Sequence, residues 1–165
     1  MVAFIYLCIL LFMIIFSLYL IDLSSNKCPK KIRKFYLVSL SIIVVRYVSL
    51  LSLWLVQRQR IIYFIKIFTQ LNFLAIPLLI LAAIYIFLRD EKRRFDYNYT
   101  FMIILFLGYC LINIFYKLDI RVDTVFGFMV SYKEILVPNL IYLIVISSFV
   151  VITLLFVDKP YSNTS

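Results

Sequence analysis

The stretch 41-SIIVVRYVSLLSLWL-55 places a single arginine, Arg46, in the middle of an apolar run. The run extends from Phe35 to Val56, and at 1.5 Å per residue it makes a helix about 33 Å long. That is enough to cross a hydrocarbon core about 30 Å thick. Arg46 would then sit about 16 Å from Phe35, close to the bilayer centre. An arginine at that depth costs about 3 kcal/mol on insertion scales, while each Leu, Ile or Val returns only about 0.3–0.6 kcal/mol. The run is therefore predicted to insert, with Arg46 turned away from lipid. Ser39, Ile42, Ser49, Leu50 and Leu53 share its helical face. Two serines on that face permit close helix packing and hydrogen bonding.

Composition agrees with lipid as the solvent. Apolar residues make up 65% of the 165 residues and charged residues 15%, against about 45–50% and about 25% in soluble domains. The mean hydropathy is +1.07. The formal net charge of +9 does not read as nucleic-acid binding, because the basic residues fall in short segments between apolar runs. A nucleic-acid surface needs an extended basic face.

Five apolar windows predict an all-α, polytopic helical bundle forming one integral membrane domain over 1–165. The spans are expected at 2–23, 35–56, 64–88, 99–116 and 139–157, joined by an outer segment at 117–138. A β-barrel would need shorter alternating segments and many turns, and the chain has two glycines. The first window has no basic leader or small-residue cleavage site, so it reads as a retained span rather than a signal peptide. Lys27, Lys30, Lys31, Arg33, Lys34, Arg89, Lys92, Arg93, Arg94 and Lys159 fall on one side of this arrangement. Arg58, Arg60, Lys117, Arg121 and Lys133 fall on the other, with Lys66 near it. The positive-inside rule then places the N-terminus outside and the C-terminus in the cytoplasm, as in a multi-pass protein of the cell membrane.

Two segments depart from a plain span. The third window, Ile61 to Leu88, is about 42 Å long as a straight helix, more than the core requires. Lys66, Gln70 and Asn72 crowd its first half. Pro77 lacks a backbone donor and would free the Phe73 carbonyl, which predicts a kink between Phe73 and Pro77. In the outer segment, Leu118, Ile120 and Val122 alternate with Asp119, Arg121 and Asp123, the pattern of a half-buried strand. Gly127 would allow a return strand. An interfacial half-helix presenting Phe126, Met129, Val130 and Lys133 fits the same residues.

Several chemistries lack their residues. The chain has no histidine, which removes imidazole acid–base catalysis and the HExxH metal site. No Asp or Glu lies inside a predicted span, against the buried carboxylate expected of a proton-coupled transporter. No GxxxxGK[ST] or GxGxxG is present. Cys8, Cys28 and Cys110 have neither metal-ligand spacing nor the even number of a disulfide framework. Asp90 and Arg94 can pair across one helical turn, as on a solvated helix end. The sequons at Asn98 and Asn163 fall on the cytoplasmic side and read as chance matches. No metal, cofactor or enzymatic activity is expected.

What remains is the polar content of the spans. The candidate ligand or helix-contact residues are Arg46, Ser49, Asn72, Gln70, Tyr109, Asn113, Ser147 and Ser148. Three readings of Arg46 fit them: a hydrogen-bonded residue fixing helix register, a partner for a carboxylate of another subunit, or an attractor for an anionic ligand such as a lipid headgroup. The expected function is a non-enzymatic accessory, assembly or sensory component acting through another chain, either a membrane-protein partner or a second copy. The alternative is a small transport or ligand-binding protein built around Arg46.

Overall fold

The computed structural model describes residues 1–56, 59–88, 96–123 and 126–157. Arg58, the basic residues Arg89, Lys92, Arg93, Arg94 and Lys159, the Asp90–Arg94 pair and the sequon at Asn163 lie outside them. The described chain is mostly helical, with elements α1 (Val2–Lys27), α2 (Lys30–Leu55), α3 (Gln59–Thr69), α4 (Asn72–Leu88) and α5 (Asp96–Phe115) followed by β1 (Leu118–Asp123), β2 (Gly127–Tyr132) and α6 (Leu136–Val157). Four helical stretches are long and apolar enough to cross a membrane: Val2–Lys27, Ile32–Leu55, Gln59–Ile84 across the α3–α4 junction, and Leu136–Leu155. The apolar part of α5, Tyr99–Phe115, is shorter.

Local chemistry sets the boundaries. Pro29 forces the residue before it out of the helical region, and Cys28 is extended at φ −79 and ψ 143. α1 therefore stops, and α2 starts with Pro29 as its N-cap. Pro138 falls in the first turn of α6, where its missing donor would have had no helical partner.

α4 is the hub of the bundle, with α2, α5 and α6 all packed against it. Phe35 of α2, Tyr109 of α5 and Phe149 of α6 join Leu74, Leu78, Leu81, Ala82 and Ile84 of α4 in one buried cluster. This position agrees with α4 being apolar on most sides, since three helices pack against it while Ile76 stays exposed. α1 packs on α2 through Leu10, Ser17 and Ser24, which recur at every seventh position on one face. The small serines bring the backbones together, and Ser17 returns its hydroxyl to the Met13 carbonyl at 2.6 Å. At the basic end of the pair, Arg33 Nη1 donates to the Ser25 carbonyl at 2.8 Å.

The segment after α5 is a two-stranded antiparallel hairpin, pairing Leu118 with Tyr132 and Asp123 with Gly127. The alternating strand is thus the form adopted, not the half-helix. Tyr132 and Val130 lie on the face turned to the bundle, while Asp119 and Arg121 pair on the other at 3.3 Å. Val122, near the turn, is exposed and breaks the expected alternation. Gly127 adopts φ +75, a conformation costly for residues with a Cβ. It rests against Leu53 and Trp54 near the end of α2. The hairpin therefore marks one end of the bundle, and Lys27 to Lys34 mark the other.

Leu78 is completely buried in α4. Leu78→Ala should lower stability by about 2 kcal/mol or more through the cavity left among its neighbours, read as an earlier transition in a denaturing-detergent titration. An unchanged transition would contradict the placement of α4 at the centre.

Candidate functional site at a helix break

The helix of the long third window is not interrupted at Pro77. It is divided at Gln70 and Leu71, between α3 and α4, and α4 continues through Pro77. The run 69-TQLN-72 explains the position. Thr and Asn compete with the helical backbone for hydrogen bonds, so four residues, three of them polar, end one helix and start the next.

The carbonyls at the end of α3 lose their usual partners there, and other donors reach them. A continuous helix would pair the Lys66 carbonyl with the Gln70 N–H. The Gln70 N–H instead reaches Ile67 at 3.4 Å, and Thr69 Oγ1 donates to the Lys66 carbonyl at 2.7 Å. The Ile67 carbonyl also accepts from the Tyr109 hydroxyl of α5 at 2.5 Å. The Thr69 carbonyl would have taken the Phe73 N–H, but Phe73 turns back to Gln70 at 3.1 Å. Arg46 Nε of α2 donates to that Thr69 carbonyl at 3.4 Å. The acceptor for Arg46 Nε is therefore the Thr69 carbonyl.

This contact has an electrostatic counterpart. The α3 C-terminus carries the negative end of its helix dipole, and a cation there gains about 0.3–1 kcal/mol, rising to about 2 kcal/mol when partly buried. The Arg46 guanidinium also lies 5.4 Å from the Tyr47 ring centroid. It is close enough to Tyr6 of α1 and Tyr142 of α6 to interact with them electrostatically. The half-buried arginine thus faces inward among α1, α2, α3 and α6, with Ser39, Ser49 and Leu53 of its own face buried.

A second group of contacts docks the hairpin onto the break. Gln70 Nε2 donates to the Val130 carbonyl of β2 at 3.1 Å. The Tyr132 hydroxyl donates to Asn113 Oδ1 at 3.3 Å, and Asn113 Nδ2 donates to the Tyr109 carbonyl at 2.9 Å. The Tyr132 ring meets Phe73 edge-on at 5.7 Å. Burial, reinforced by Tyr109, pushes the Tyr132 hydroxyl well above the usual tyrosine pKa, so it remains a neutral donor. Asn72 begins α4 beside these groups, and its Oδ1 is buried with no hydrogen-bond partner.

Of the sequence candidates, Arg46, Gln70, Asn72, Tyr109 and Asn113 gather around the break. Ser49 is buried but donates within its own helix, to the Val45 carbonyl at 2.7 Å. Ser147 and Ser148 are exposed and bond the Ile144 and Val145 carbonyls of α6, so they do not reach Arg46. Sequence reasoning missed Thr69 and Tyr132. The polar run 69–72 carried a signal for Thr69, whereas Tyr132 joins the layer only because the hairpin folds back. Among the described residues no group of three or more His, Cys, Asp or Glu side chains could hold a metal ion. Comparisons with family models, curated proteins and solved structures return no match.

Tyr109→Phe removes the donor that holds the Ile67 carbonyl and should cost about 1 kcal/mol, seen as a lowered unfolding midpoint with helicity retained. A midpoint equal to that of the unaltered chain would remove Tyr109 from the stabilisation of the break.

Proposed function

We propose that this chain is a non-enzymatic, multi-pass membrane component that acts through another chain, as an accessory, assembly or sensory subunit. The observation that carries the reading is the open construction of the bundle. α1 packs mainly on α2, and α5 and α6 mainly on α4. Broad apolar faces of α1, α5 and α6 are left without a neighbour in the chain. In lipid these faces can gain van der Waals packing against other helices, which suits a subunit better than a self-enclosed monomer. The anion-attracting alternative around Arg46 is compatible with this role.

The reading includes five spans, with the N-terminus outside and the C-terminus in the cytoplasm. α5 is 20 residues long, about 30 Å as a helix. Near its start Tyr99 meets Phe35 of α2, with ring centroids 6.3 Å apart; near its end Asn113 meets the hairpin. Those contacts lie toward opposite ends of α2, which supports a full crossing by α5. The hairpin would then lie on the outer side, away from Lys27 to Lys34, in accord with the bias of basic residues.

A photo-crosslinking residue at Phe12 or Leu143, 65% and 67% exposed, should give a discrete protein adduct in native membranes, while one at Leu78 should give none. Lipid adducts alone at both exposed positions would count against a partner chain. Orientation has its own measurement. In intact cells a membrane-impermeant maleimide should label Met129→Cys in a chain whose native cysteines are replaced. Cys28, retained alone, should react only after permeabilisation. The reverse pattern would invert the topology.

A further inference from the structure

Only Cys28 and Pro29 separate α1 from α2, so the last turn of one helix and the first turn of the next lie side by side. Residues 22–34 carry five basic side chains, Lys27, Lys30, Lys31, Arg33 and Lys34, against a single acidic one, Asp22. Asp22 has its own neighbour, since its Oδ1 accepts from Asn26 Nδ2 at 3.4 Å. Arg33 braces the turn: its Nη1 reaches back to the Ser25 carbonyl of α1 at 2.8 Å and fixes the two helix ends against each other. Lys27, Lys30 and Lys34 are exposed. None of the three makes a hydrogen bond or ion pair with another described residue.

These three lysines stand together. Lys30 and Lys34 are one helical turn apart on the same face of α2, which brings their Cβ atoms to about 5–6 Å. Lys27 ends α1, two residues before Lys30. Like charges one turn apart repel, so the patch is held together by the fold and gains by meeting an anion. The opposed ends of the α1 and α2 dipoles meet at the turn and offset each other, which leaves the charge to the side chains.

Depth identifies the anion. The apolar part of α1 ends at Leu23, and Lys27 lies four residues, about 6 Å, beyond it. The apolar run of α2 starts at Phe35, and Lys30 lies about 7.5 Å before it. A headgroup layer adds about 5–7 Å on each side of the hydrocarbon core. With α1 and α2 crossing a membrane, for which both are long and apolar enough, the lysines leave the backbone at the level of lipid phosphates. The positive-inside bias would be met by basic residues anywhere on that side; it does not call for their gathering on a braced, two-residue turn.

We infer that the α1–α2 turn is a docking surface for anionic lipid headgroups, with Lys27, Lys30 and Lys34 on their phosphates and Arg33 holding the turn. Lysine suits this task as a point charge on a flexible stem, able to follow a mobile phosphate. Basic clusters directly at the end of a spanning helix attract anionic lipid in this way. The inference needs α1 and α2 in a membrane and no second chain, so it stands apart from the partner reading.

Native mass spectrometry tests it on the full chain, released from mild detergent holding equal amounts of phosphatidylglycerol and phosphatidylcholine. The unaltered chain should retain the anionic lipid with a preference of at least about tenfold. Lys30→Gln combined with Lys34→Gln should bring that preference to about twofold or less. Both side chains are exposed and hold no other element, so this variant should keep the helicity of the unaltered chain. Lys117→Gln combined with Lys133→Gln, at the hairpin end, should keep the full preference. Equal retention of the two lipids by the unaltered chain, an undiminished preference in the α2 variant, or an equal loss in the hairpin variant would overturn the proposal.

Discussion

A charged guanidinium in apolar surroundings must be met by acceptors, and the contact between Arg46 Nε and the Thr69 carbonyl fulfils part of that requirement. The carbonyl is available because the helix is broken at Gln70 and Leu71. Arginine and break therefore depend on each other. With an uninterrupted helix the carbonyl would be consumed by the backbone. Without the arginine, Thr69 would leave an acceptor unpaired where water is scarce, at a cost of about 1–3 kcal/mol. Tyr109 and the Thr69 hydroxyl donate to the Ile67 and Lys66 carbonyls of the same turn.

The break also organises the elements around it. It divides one long apolar window into α3, which lies along α2, and α4, which gathers α2, α5 and α6. It exposes Gln70 to the hairpin, so β2 is tied through Val130 to the same turn. Tyr132 then connects the hairpin to Asn113 and hence to Tyr109. One discontinuity accounts for three docking relations: α2 on α3, α5 on α3, and the hairpin on all of them. The partner reading rests on what this arrangement leaves unused, namely the open apolar faces of α1, α5 and α6.

Much of the helical architecture was legible because its signals are local. Apolar length predicted five spans, of which four are helical stretches long and apolar enough to cross a membrane, and Ser39 and Ser49 on the Arg46 face are buried as helical spacing required. Alternation over Leu118 to Asp123 identified a strand. Its competition with a half-helix was decided by pairing with β2, which depends on residues beyond the window. The break at Gln70 and Leu71 went unpredicted because Pro77 is the stronger local signal, yet α4 continues through that proline. The polar run at 69–72 prevailed because Tyr109 and Arg46 arrive from other helices to take the released carbonyls. Long-range partners of this kind leave no mark in the local sequence. Ser147 and Ser148 show the converse: their depth suggested contact with Arg46, but the rotation of α6 left them exposed.

The central claim is the pairing of Arg46 with the Thr69 carbonyl, and solid-state NMR in lipid tests it directly. In protein labelled with nitrogen-15 at arginine Nε and carbon-13 at threonine carbonyls, a dipolar recoupling experiment should detect a contact at about 4 Å, the separation that follows from an Nε to oxygen distance of 3.4 Å. That contact should vanish when Thr69→Ser removes the labelled carbonyl. If no such coupling appears, or if it survives Thr69→Ser, Arg46 is not held by the break.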